Sequence, residues 1–472
     1  MIAPDLIRRF AALVGEANAI TDPDRIAPYL REWRDRYTGL SPLVLRPGST
    51  KEVAAILSLA AETGTPIVPQ GGNTGLVGGQ IPSRENREII LSLTRLDRIR
   101  DRDAAGNTMA VEAGVTLERA QAAAAAIDRL FPLSLASQGS CTIGGTIATN
   151  AGGTAVIAYG TMRDLVLGLE VVLADGRIWN GLRRLRKDNT GYDLRNLFIG
   201  SEGTLGIVTA AVLKLFPRPR AVATAFVAVP SPADALAMLE ICRALGPGDI
   251  TAFELIPRIG IEFGLRHIPN TRDPLTTPAP WAILLEMATA DAAQATDRLG
   301  ETLSHCIDKG HAIDGAIAGS IEQARAFWRL REAMSEAQRH EGGSIKHDVA
   351  VPVAQVPAFL ERAIAAVTAL VPGCRPVPFG HLGDGNIHFN VSQPVGADKA
   401  AFLDQWEAMN AAVHAIVADL GGSISAEHGI GTAKRDLLPG VKSAVELDLM
   451  RSIKRTLDPT GILNPGKVLP EG

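Results

Sequence analysis

The sequence has 472 residues, of which 46% are hydrophobic, with a mean hydropathy of +0.12 and a net charge of −4. This length predicts two or three domains with a large buried core, and the composition excludes an intrinsically disordered chain. The slightly acidic balance argues against nucleic acid as a partner, which would require a basic surface. The four cysteines are far apart, so neither an iron–sulfur cluster nor a disulfide framework is expected.

The first twenty residues predict an amphipathic helix with Arg8 and Arg9 in its middle. They lack the apolar core of a signal peptide, so no signal peptide is expected. No run of 18 apolar residues predicts a transmembrane helix. We therefore expect a cytoplasmic protein, with peripheral attachment to a membrane as the alternative.

The first half of the chain alternates between helix and strand signals. Ser49 and Glu52 have the spacing of a capping box, Gly64 fits a helix C-cap, and residues 66–68 indicate a short buried strand. Further strands are predicted at 88–92, 108–112, 166–173 and 206–215, and the alanine-rich run 122–126 is interpreted as helix. This half is therefore predicted to be α/β or α+β.

The second half has a different character after residues 217–220, where two prolines predict a break in regular structure. Strands are predicted at 222–229 and 281–287, with helices at 232–245 and from the second strand through about 298. This order indicates a separate α+β domain. From about 401 onward the chain is predicted to be mainly helical, ending in a turn-rich segment at 458–467.

Three glycine-rich loops lie in the first half, at 69–79, 137–153 and 200–206, and the first holds five glycines in eleven residues. Such loops permit left-handed backbone and expose consecutive amides, which suits a pyrophosphate. Ordinary surface turns are the alternative for any one loop, but three in one region favour a ligand. Neither the dinucleotide fingerprint nor the P-loop motif is present.

These loops resemble the FAD domain of flavoproteins of the vanillyl-alcohol oxidase/p-cresol methylhydroxylase type, from about Leu40 to Pro219. The resemblance implies non-covalent FAD, since the first loop lacks the histidine at the usual attachment position. It implies an α+β fold with a two-subdomain FAD-binding domain (1–219), a substrate or cap domain with a metal site (220–420) and a C-terminal helical segment (421–472) that returns to the FAD domain. The implied cofactor contacts are Pro69, Gly71, Gly72, Asn73, Thr74, Gly75, Gly78, Gly79, Pro132, Gly139, Ser140, Gly144, Gly145, Asn150, Gly153, Glu202, Ile207 and Asn464.

A histidine-rich segment at 378–391 is the most specific stretch of the sequence. His381 and His388 flank the turn 383–386, and His388 and Asn390 share a face of the strand that follows. Residues 423–431 add Glu427 next to His428. Two histidines and one carboxylate with an open position are a common ligand set for catalytic Zn²⁺, and they also suit Mn²⁺, Co²⁺ or Fe²⁺. The alternative is that the histidines are structural.

Along nearly all its length the chain is similar to the D-2-hydroxyglutarate dehydrogenase/D-lactate dehydrogenase group, whose pattern matches GHLGDGNIHFNV and SAEHGIG. By this resemblance His381, His388 and Glu427 are metal ligands, His428 is the catalytic base, and Asn390 contacts the substrate. Arg331 and Ser335, four residues apart on one predicted helix, and Lys346 match positions that bind the substrate's carboxylate; Ser335 replaces a threonine-like residue. A surface charge is the alternative for Arg331.

The resemblance implies oxidation of a D-2-hydroxy acid, with hydride transfer to flavin N5. Two cations, Arg331 and Lys346, favour a dicarboxylate, D-2-hydroxyglutarate or D-malate. Electrons would leave to an external protein, quinone or cytochrome, and a homodimer is expected from the family. The alternatives are a D-lactate or glycolate dehydrogenase, a zinc hydrolase, and a non-catalytic flavin subunit of a larger oxidase.

Overall fold

The computed structural model describes residues 2–244, 250–289 and 295–470. These residues form two compact units. The first consists of 2–153, 160–218 and 427–470, and the second of 154–159 and the described residues of 219–426.

The strands of the described residues are, in chain order, β1 (Ala19–Ile20), β2 (Val44–Leu45), β3 (Ile67–Gln70), β4 (Ile89–Ser92), β5 (Ile99–Asp103), β6 (Thr108–Glu112), β7 (Arg129–Leu130), β8 (Val166–Val172), β9 (Ile178–Gly181), β10 (Ile207–Lys214), β11 (Phe216–Pro217), β12 (Ala221–Val229), β13 (Ile250–Pro257), β14 (Trp281–Thr289), β15 (Asp314–Ile317), β16 (Ser344–Ala350), β17 (Arg375–His381) and β18 (Asn386–Ser392).

The α-helices of the same residues are α1 (Pro4–Val14), α2 (Pro23–Ile26), α3 (Thr50–Thr63), α4 (Leu117–Ala125), α5 (Ile143–Ala148), α6 (Val156–Tyr159), α7 (Met162–Leu165), α8 (Arg195–Phe198), α9 (Pro232–Arg243), α10 (Arg258–His267), α11 (Ala295–Asp308), α12 (Ile321–Glu332), α13 (Met334–Ala337), α14 (Val356–Leu370), α15 (Lys399–Leu403), α16 (Trp406–Asp419), α17 (Leu438–Val441) and α18 (Ala444–Leu457).

The first unit contains a small sheet of order β1-β2-β4-β3, in which β2, β4 and β3 are parallel. Helix α3 connects β2 to β3. The Ser49 side chain accepts a hydrogen bond from the Glu52 amide at its start, and Gly64 ends it in the left-handed conformation. Its apolar face packs on the sheet. The predicted helix–strand alternation of this region is thus confirmed.

A second sheet in the first unit has the order β5-β6-β10-β8-β9 and is antiparallel throughout. Strands β7 and β11 form a separate two-stranded ribbon, in which Pro217 is opposite Arg129. The prediction that prolines at 217–220 exclude regular structure is therefore wrong at Pro217. Proline is tolerated in a short edge ribbon because its missing N–H need not face a partner strand.

The second unit is built on an antiparallel sheet of order β15-β12-β14-β13-β17-β18-β16. Successive side chains point to opposite faces, and each face has its own apolar core. One core joins Phe253, Leu255 and Phe389 to α9, α11, α14 and α16. The other joins Ile256 and Phe379 to α10, α12 and α13, and we call this side of the sheet the α12 face. Both units mix helices with sheets, as the α+β prediction requires.

One segment of the described residues, Val353–Leu370, has the length and hydropathy of a membrane span, and 28% of it is buried. Glu361 and Arg362 interrupt the apolar run of this segment, so the sequence does not predict a membrane span there. Val356, Phe359 and Val367 of this segment belong to the apolar core of the second unit.

Two helix predictions in this unit need correction. Helix α11 continues to Asp308 rather than ending near 298, and its buried residues Leu299, Leu303 and Cys306 explain the extension. Arg331 and Ser335 do not share one helix, since α12 ends at Glu332 and Ser335 lies in α13. Between them, ψ at Ala333 is −6°, compared with about −42° in a regular α-helix, and the helix is interrupted at this residue. Helix α9 ends at Arg243, and Leu245 of its predicted range lies outside the described residues.

Candidate active site

The three glycine-rich loops of the first unit pack against one another. A Cβ added at Gly71 would overlap the Thr142 hydroxyl, and one at Gly72 would overlap the Ser140 carbonyl oxygen. A Cβ at Gly79 would lie 2.9 Å from a carboxylate oxygen of Glu202. At Gly72 the overlap is with backbone, so only glycine fits there, whereas at Gly71 and Gly79 a neighbouring side chain would have to shift. The loops are therefore tightly packed rather than loose surface turns.

Four of the predicted FAD contacts other than glycine have left-handed backbone, which is uncommon for such residues: Asn73 (φ 55°), Asn150 (φ 50°), Glu202 (φ 51°) and Asn464 (φ 44°). Such residues concentrate at ligand sites, where the surrounding structure holds the strain. The conformation at Asn73 is held by its amide, which donates to the Pro28 and Arg31 carbonyls.

Asn464 connects the C-terminal turn to two of the loops. Its Nδ2 donates to the carbonyls of Gly79 (2.9 Å) and Glu202 (2.8 Å). Its Oδ1 is buried and has no hydrogen-bond partner among the described residues. A buried acceptor of this kind suits a ligand that carries an N–H group, as the flavin ring does. The cradle of glycine loops and the Asn464 acceptor therefore fit FAD.

The other predicted FAD contacts differ in their surroundings. Pro132 is buried, and a Cβ at Gly153 would overlap the Ser134 carbonyl. Asn150 uses its Oδ1 to accept from the Arg163 amide. The Ile207 side chain lies in the apolar core of the first unit, so it leaves only its backbone for a ligand.

In the second unit, the hairpin β17–β18 brings the two predicted metal-binding histidines together. His381 ends β17, and the turn at 382–385 returns the chain so that the rings of His381 and His388 are 5.5 Å apart between centroids. Gly385 in this turn has φ +84°, and a Cβ there would overlap the Val351 carbonyl. Glycine at this position is therefore favoured both by the left-handed backbone of the turn and by the close approach of Val351.

Glu427 is placed beside the two histidines by the segment that precedes it. Ser423 exchanges two backbone hydrogen bonds with Ala350 (2.7 and 2.9 Å) at the end of β16. The potential ligand atoms of His381, His388 and Glu427 lie within 4.8 Å of one another. This spacing is small enough for side-chain rotation to bring all three onto one divalent ion, so the donor set fits a metal.

A second group of potential ligands shares Glu427 and consists of Asp348, Glu427 and His428, also within 4.8 Å. Asp348 is opposite His388 in the β16–β18 pairing, and its Oδ1 lies 3.9 Å from His388 Nδ1. The Asn386 amide donates to the same Asp348 oxygen. The predicted base His428 therefore lies within the same carboxylate- and imidazole-rich cluster.

Glu254 is fully buried on β13, and each of its carboxylate oxygens lies beside a basic side chain. His381 Nδ1 lies 2.5 Å from Oε1, and Arg331 Nη2 lies 2.5 Å from Oε2. Burial raises the pKa of Glu254, but the charges of His381 and Arg331 outweigh it and hold this pKa at about 2. The Arg331 guanidinium also lies over the Phe379 ring, at 4.7 Å from its centroid. Arg331 is thus buried and paired, and the alternative of a surface charge is wrong.

The predicted substrate contacts of the sheet lie side by side. Lys346 is directly opposite Asn390, and both share the α12 face with His388. Asn390 is buried, and its amide donates to the Gln338 side chain. Ser335 in α13 is half-buried. Arg331 Nε is buried without a hydrogen-bond partner among the described residues, so one donor of this side chain is available to a ligand.

Sequence reasoning missed Glu254 and Asp348. Each carried a signal, because an acidic residue inside an otherwise apolar strand must find a compensating partner. Glu254 interrupts the apolar run of β13, and Asp348 stands between buried residues of β16. Neither signal names the partner, which depends on strands that are distant in sequence.

These features define a class of protein, the FAD-dependent oxidoreductases with the fold of p-cresol methylhydroxylase. A solved p-cresol methylhydroxylase shares this fold with a TM-score of 0.75 at 18% identity, covering 98% of this chain and 96% of that one. An alkyldihydroxyacetonephosphate synthase matches with a TM-score of 0.73 at 18% identity, covering 98% of this chain and 85% of that one.

The chain belongs to the FAD-linked oxidase family: residues 218–468 match the model "FAD linked oxidases, C-terminal domain", and residues 41–181 match "FAD binding domain". It is 39% identical to the mitochondrial D-2-hydroxyglutarate dehydrogenase of Arabidopsis thaliana, over 98% of this chain and 81% of that protein. It is 38% identical to the D-2-hydroxyglutarate dehydrogenase of Xanthomonas citri pv. viticola, over 95% of this chain and 93% of that protein. The predicted family, fold and enzyme class are confirmed, and the zinc hydrolase alternative is excluded.

Proposed function

We propose that the protein is an FAD-dependent, metal-assisted dehydrogenase that oxidises D-2-hydroxyglutarate to the 2-oxo acid. The observation that carries this proposal is the group of His381, His388 and Glu427, whose ligand atoms lie within 4.8 Å of one another. The names of its relatives support the substrate. A non-catalytic flavin subunit would not need these three side chains, so their grouping favours an enzyme.

Each side chain has a role that follows from its chemistry. Bound FAD, held by the glycine loops and Asn464, supplies the two-electron acceptor. A divalent ion held by the two histidines and Glu427 supplies Lewis-acid polarisation of the 2-hydroxy acid. His428 accepts the hydroxyl proton as general base. A ring nitrogen of His428 lies within 4.8 Å of carboxylate oxygens of Asp348 and Glu427, beside the candidate metal ligands, and this position supports the role.

The substrate's distal carboxylate is proposed to bind at Arg331, Ser335 and Lys346, with Asn390 as a further contact. The unsatisfied Nε–H of Arg331 supports this assignment, because a buried donor requires an acceptor. The ion pair with Glu254 balances the Arg331 charge, so Arg331 selects by directed hydrogen bonds more than by net charge.

The Arg331–Glu254 ion pair also supports a second candidate function, that of a D-lactate or glycolate dehydrogenase. With Arg331 neutralised, the positive field at the distal end is weaker than two uncompensated cations would provide. D-malate is the intermediate case, with a distal carboxylate one methylene closer to the hydroxyl.

Substrate profiling tests the proposal. With the purified holoenzyme and a dye acceptor, we expect kcat/KM to fall in the order D-2-hydroxyglutarate, D-malate, D-lactate. Loss of the distal carboxylate contact should cost about tenfold or more. Higher kcat/KM for D-lactate would contradict the proposal and favour the second candidate.

We further propose that the protein acts in the cytoplasm and passes its electrons to a separate acceptor. A homodimer remains a prediction. The cysteines of the described residues are free and buried, which suits a reducing compartment. The plant and animal relatives are named as mitochondrial proteins.

A further inference from the structure

Glu254 stands out among the acidic residues of the second unit because it is fully buried between apolar neighbours, Phe253 and Leu255, which are 1% and 0% exposed. A carboxylate at such a position is costly unless other groups compensate its charge. Strand β17 supplies one such group, His381, and helix α12 supplies the other, Arg331, one beside each oxygen.

The contact with His381 is set by backbone register. Glu254 is directly opposite His381 in the antiparallel pairing of β13 with β17, so the two side chains share the α12 face. An ionised carboxylate can only accept, so the proton in this contact is on His381 Nδ1, and in the neutral ring the lone pair then lies on Nε2. A histidine fixed in this tautomer presents Nε2 to a metal ion.

The contact with Arg331 extends the same arrangement to α12. Its Nη2 is paired with Glu254 Oε2, and its guanidinium plane lies over Phe379. Phe379 in turn packs against His388 at 5.3 Å between ring centroids. The Arg331 Nε–H remains without a partner among the described residues. One carboxylate therefore fixes the direction of the donor that would face the substrate.

We propose that Glu254 is a positioning residue that orients both the metal ligand His381 and the substrate-binding Arg331. It acts through these two side chains and touches neither the ion nor the substrate. The inference rests on the proposed function, and it adds the orientation of His381 and Arg331 to the charge balance that Glu254 provides.

The test uses Glu254→Gln, which keeps the size of the side chain but cannot accept from both partners. We expect the affinity of the metal-free protein for Zn²⁺ to fall by about 10- to 100-fold, measured by competition with a chromophoric chelator. Glu254→Asp, which keeps the charge, should recover part of the loss.

Glu286→Gln is the matched control. Glu286 is a carboxyl on the neighbouring strand β14, where it accepts from Thr251 (2.9 Å) and Trp328 (3.0 Å), and it contacts neither His381 nor Arg331. The same chemical change at Glu286 should leave Zn²⁺ affinity unchanged. Circular dichroism should show both variants folded; if Glu254→Gln does not fold, Glu254→Asp carries the comparison.

A second measurement separates the Arg331 contact from the metal contact. At saturating Zn²⁺, KM of Glu254→Gln for D-2-hydroxyglutarate should rise by about tenfold, the effect of one charge-assisted hydrogen bond. KM for D-lactate, which has no distal carboxylate, should stay within about twofold of the wild type.

Wild-type Zn²⁺ affinity and wild-type KM in Glu254→Gln would overturn the inference. Failure of the proposed function would look different, because the wild-type protein itself would then bind no Zn²⁺ or would not oxidise D-2-hydroxyglutarate.

Discussion

Glu202 is a second buried carboxylate, and the hydrogen bonds that it accepts come from backbone amides, whereas Glu254 contacts the side chains of His381 and Arg331. The Glu202 oxygens accept from the amides of Ile430 (2.7 Å) and Gly431 (2.9 Å), so Glu202 ties the third glycine loop to the segment that follows His428. Burial raises the pKa of Glu202 to about 7, despite these hydrogen bonds. The ionised form is therefore disfavoured in the folded protein.

This environment predicts a pH dependence of stability. A carboxyl with a raised folded-state pKa contributes stability below its unfolded value near 4.5, and this contribution is lost as the pH rises through about 7. Relative to Glu202→Gln, the wild type should lose on the order of 3 kcal/mol between pH 4.5 and pH 8. Denaturant unfolding of the holoenzyme at several pH values measures the difference.

The exposed Glu85→Gln serves as the control, since it changes a carboxyl of the same unit that is not buried. Equal pH dependence in the wild type and Glu202→Gln would show that Glu202 titrates normally.

At the scale of elements, the β17–β18 hairpin is the piece of structure on which the histidine pair depends. Gly385→Ala should disturb it doubly, through the left-handed φ of +84° and through overlap with the Val351 carbonyl. We expect a loss of 1–3 kcal/mol in the free energy of unfolding, as for an overpacked site, with at least about tenfold weaker Zn²⁺ binding. Calorimetric titration of the metal-free variant measures the binding.

Gly310→Ala separates the two causes, because Gly310 has φ +79° but nothing within 4 Å of its Cβ position. It should lose about 1 kcal/mol and keep its metal affinity. If Gly385→Ala behaves like Gly310→Ala, steric overlap in the turn is unimportant.

The sequence was most informative where chemistry is local. The cap at Ser49, the turn before His388 and the shared face of His388 and Asn390 all depend on residues close in the chain, and the structure agrees. The sequence was least informative where distant strands meet. The Glu254–His381 pair depends on the register of β13 against β17, which no local pattern encodes. Likewise, the change at Ala333 is a small dihedral difference within a helix-favouring sequence.

At the scale of the whole molecule, the residues proposed to hold FAD differ from those proposed to hold the metal ion. The FAD cradle uses glycine loops and Asn464, whereas the candidate metal site uses His381, His388 and Glu427. Dialysis against a chelator should therefore lower the activity by at least about tenfold while the protein keeps its flavin absorption, and added Zn²⁺ should restore the activity.

The reciprocal variant completes this comparison. Gly72→Ala should lose flavin, because its Cβ would overlap the Ser140 carbonyl, and it should still bind Zn²⁺. Gly440→Ala, with nothing within 4 Å of its Cβ position, is the control for flavin content. Release of flavin by the chelator alone would contradict the proposal that FAD and the metal ion are held by different residues.

The first unit is completed only by the last part of the chain. The Ile67 amide donates to the Ile462 carbonyl, and the Asn464 amide donates to the Ile67 carbonyl, so β3 acquires its final neighbour from the C-terminal turn. During synthesis, residues 462–464 must therefore emerge from the ribosome before the nucleotide cradle can close. A chain truncated shortly before residue 462 would keep every glycine loop, and we expect it to hold the coenzyme more weakly because Asn464 is lost.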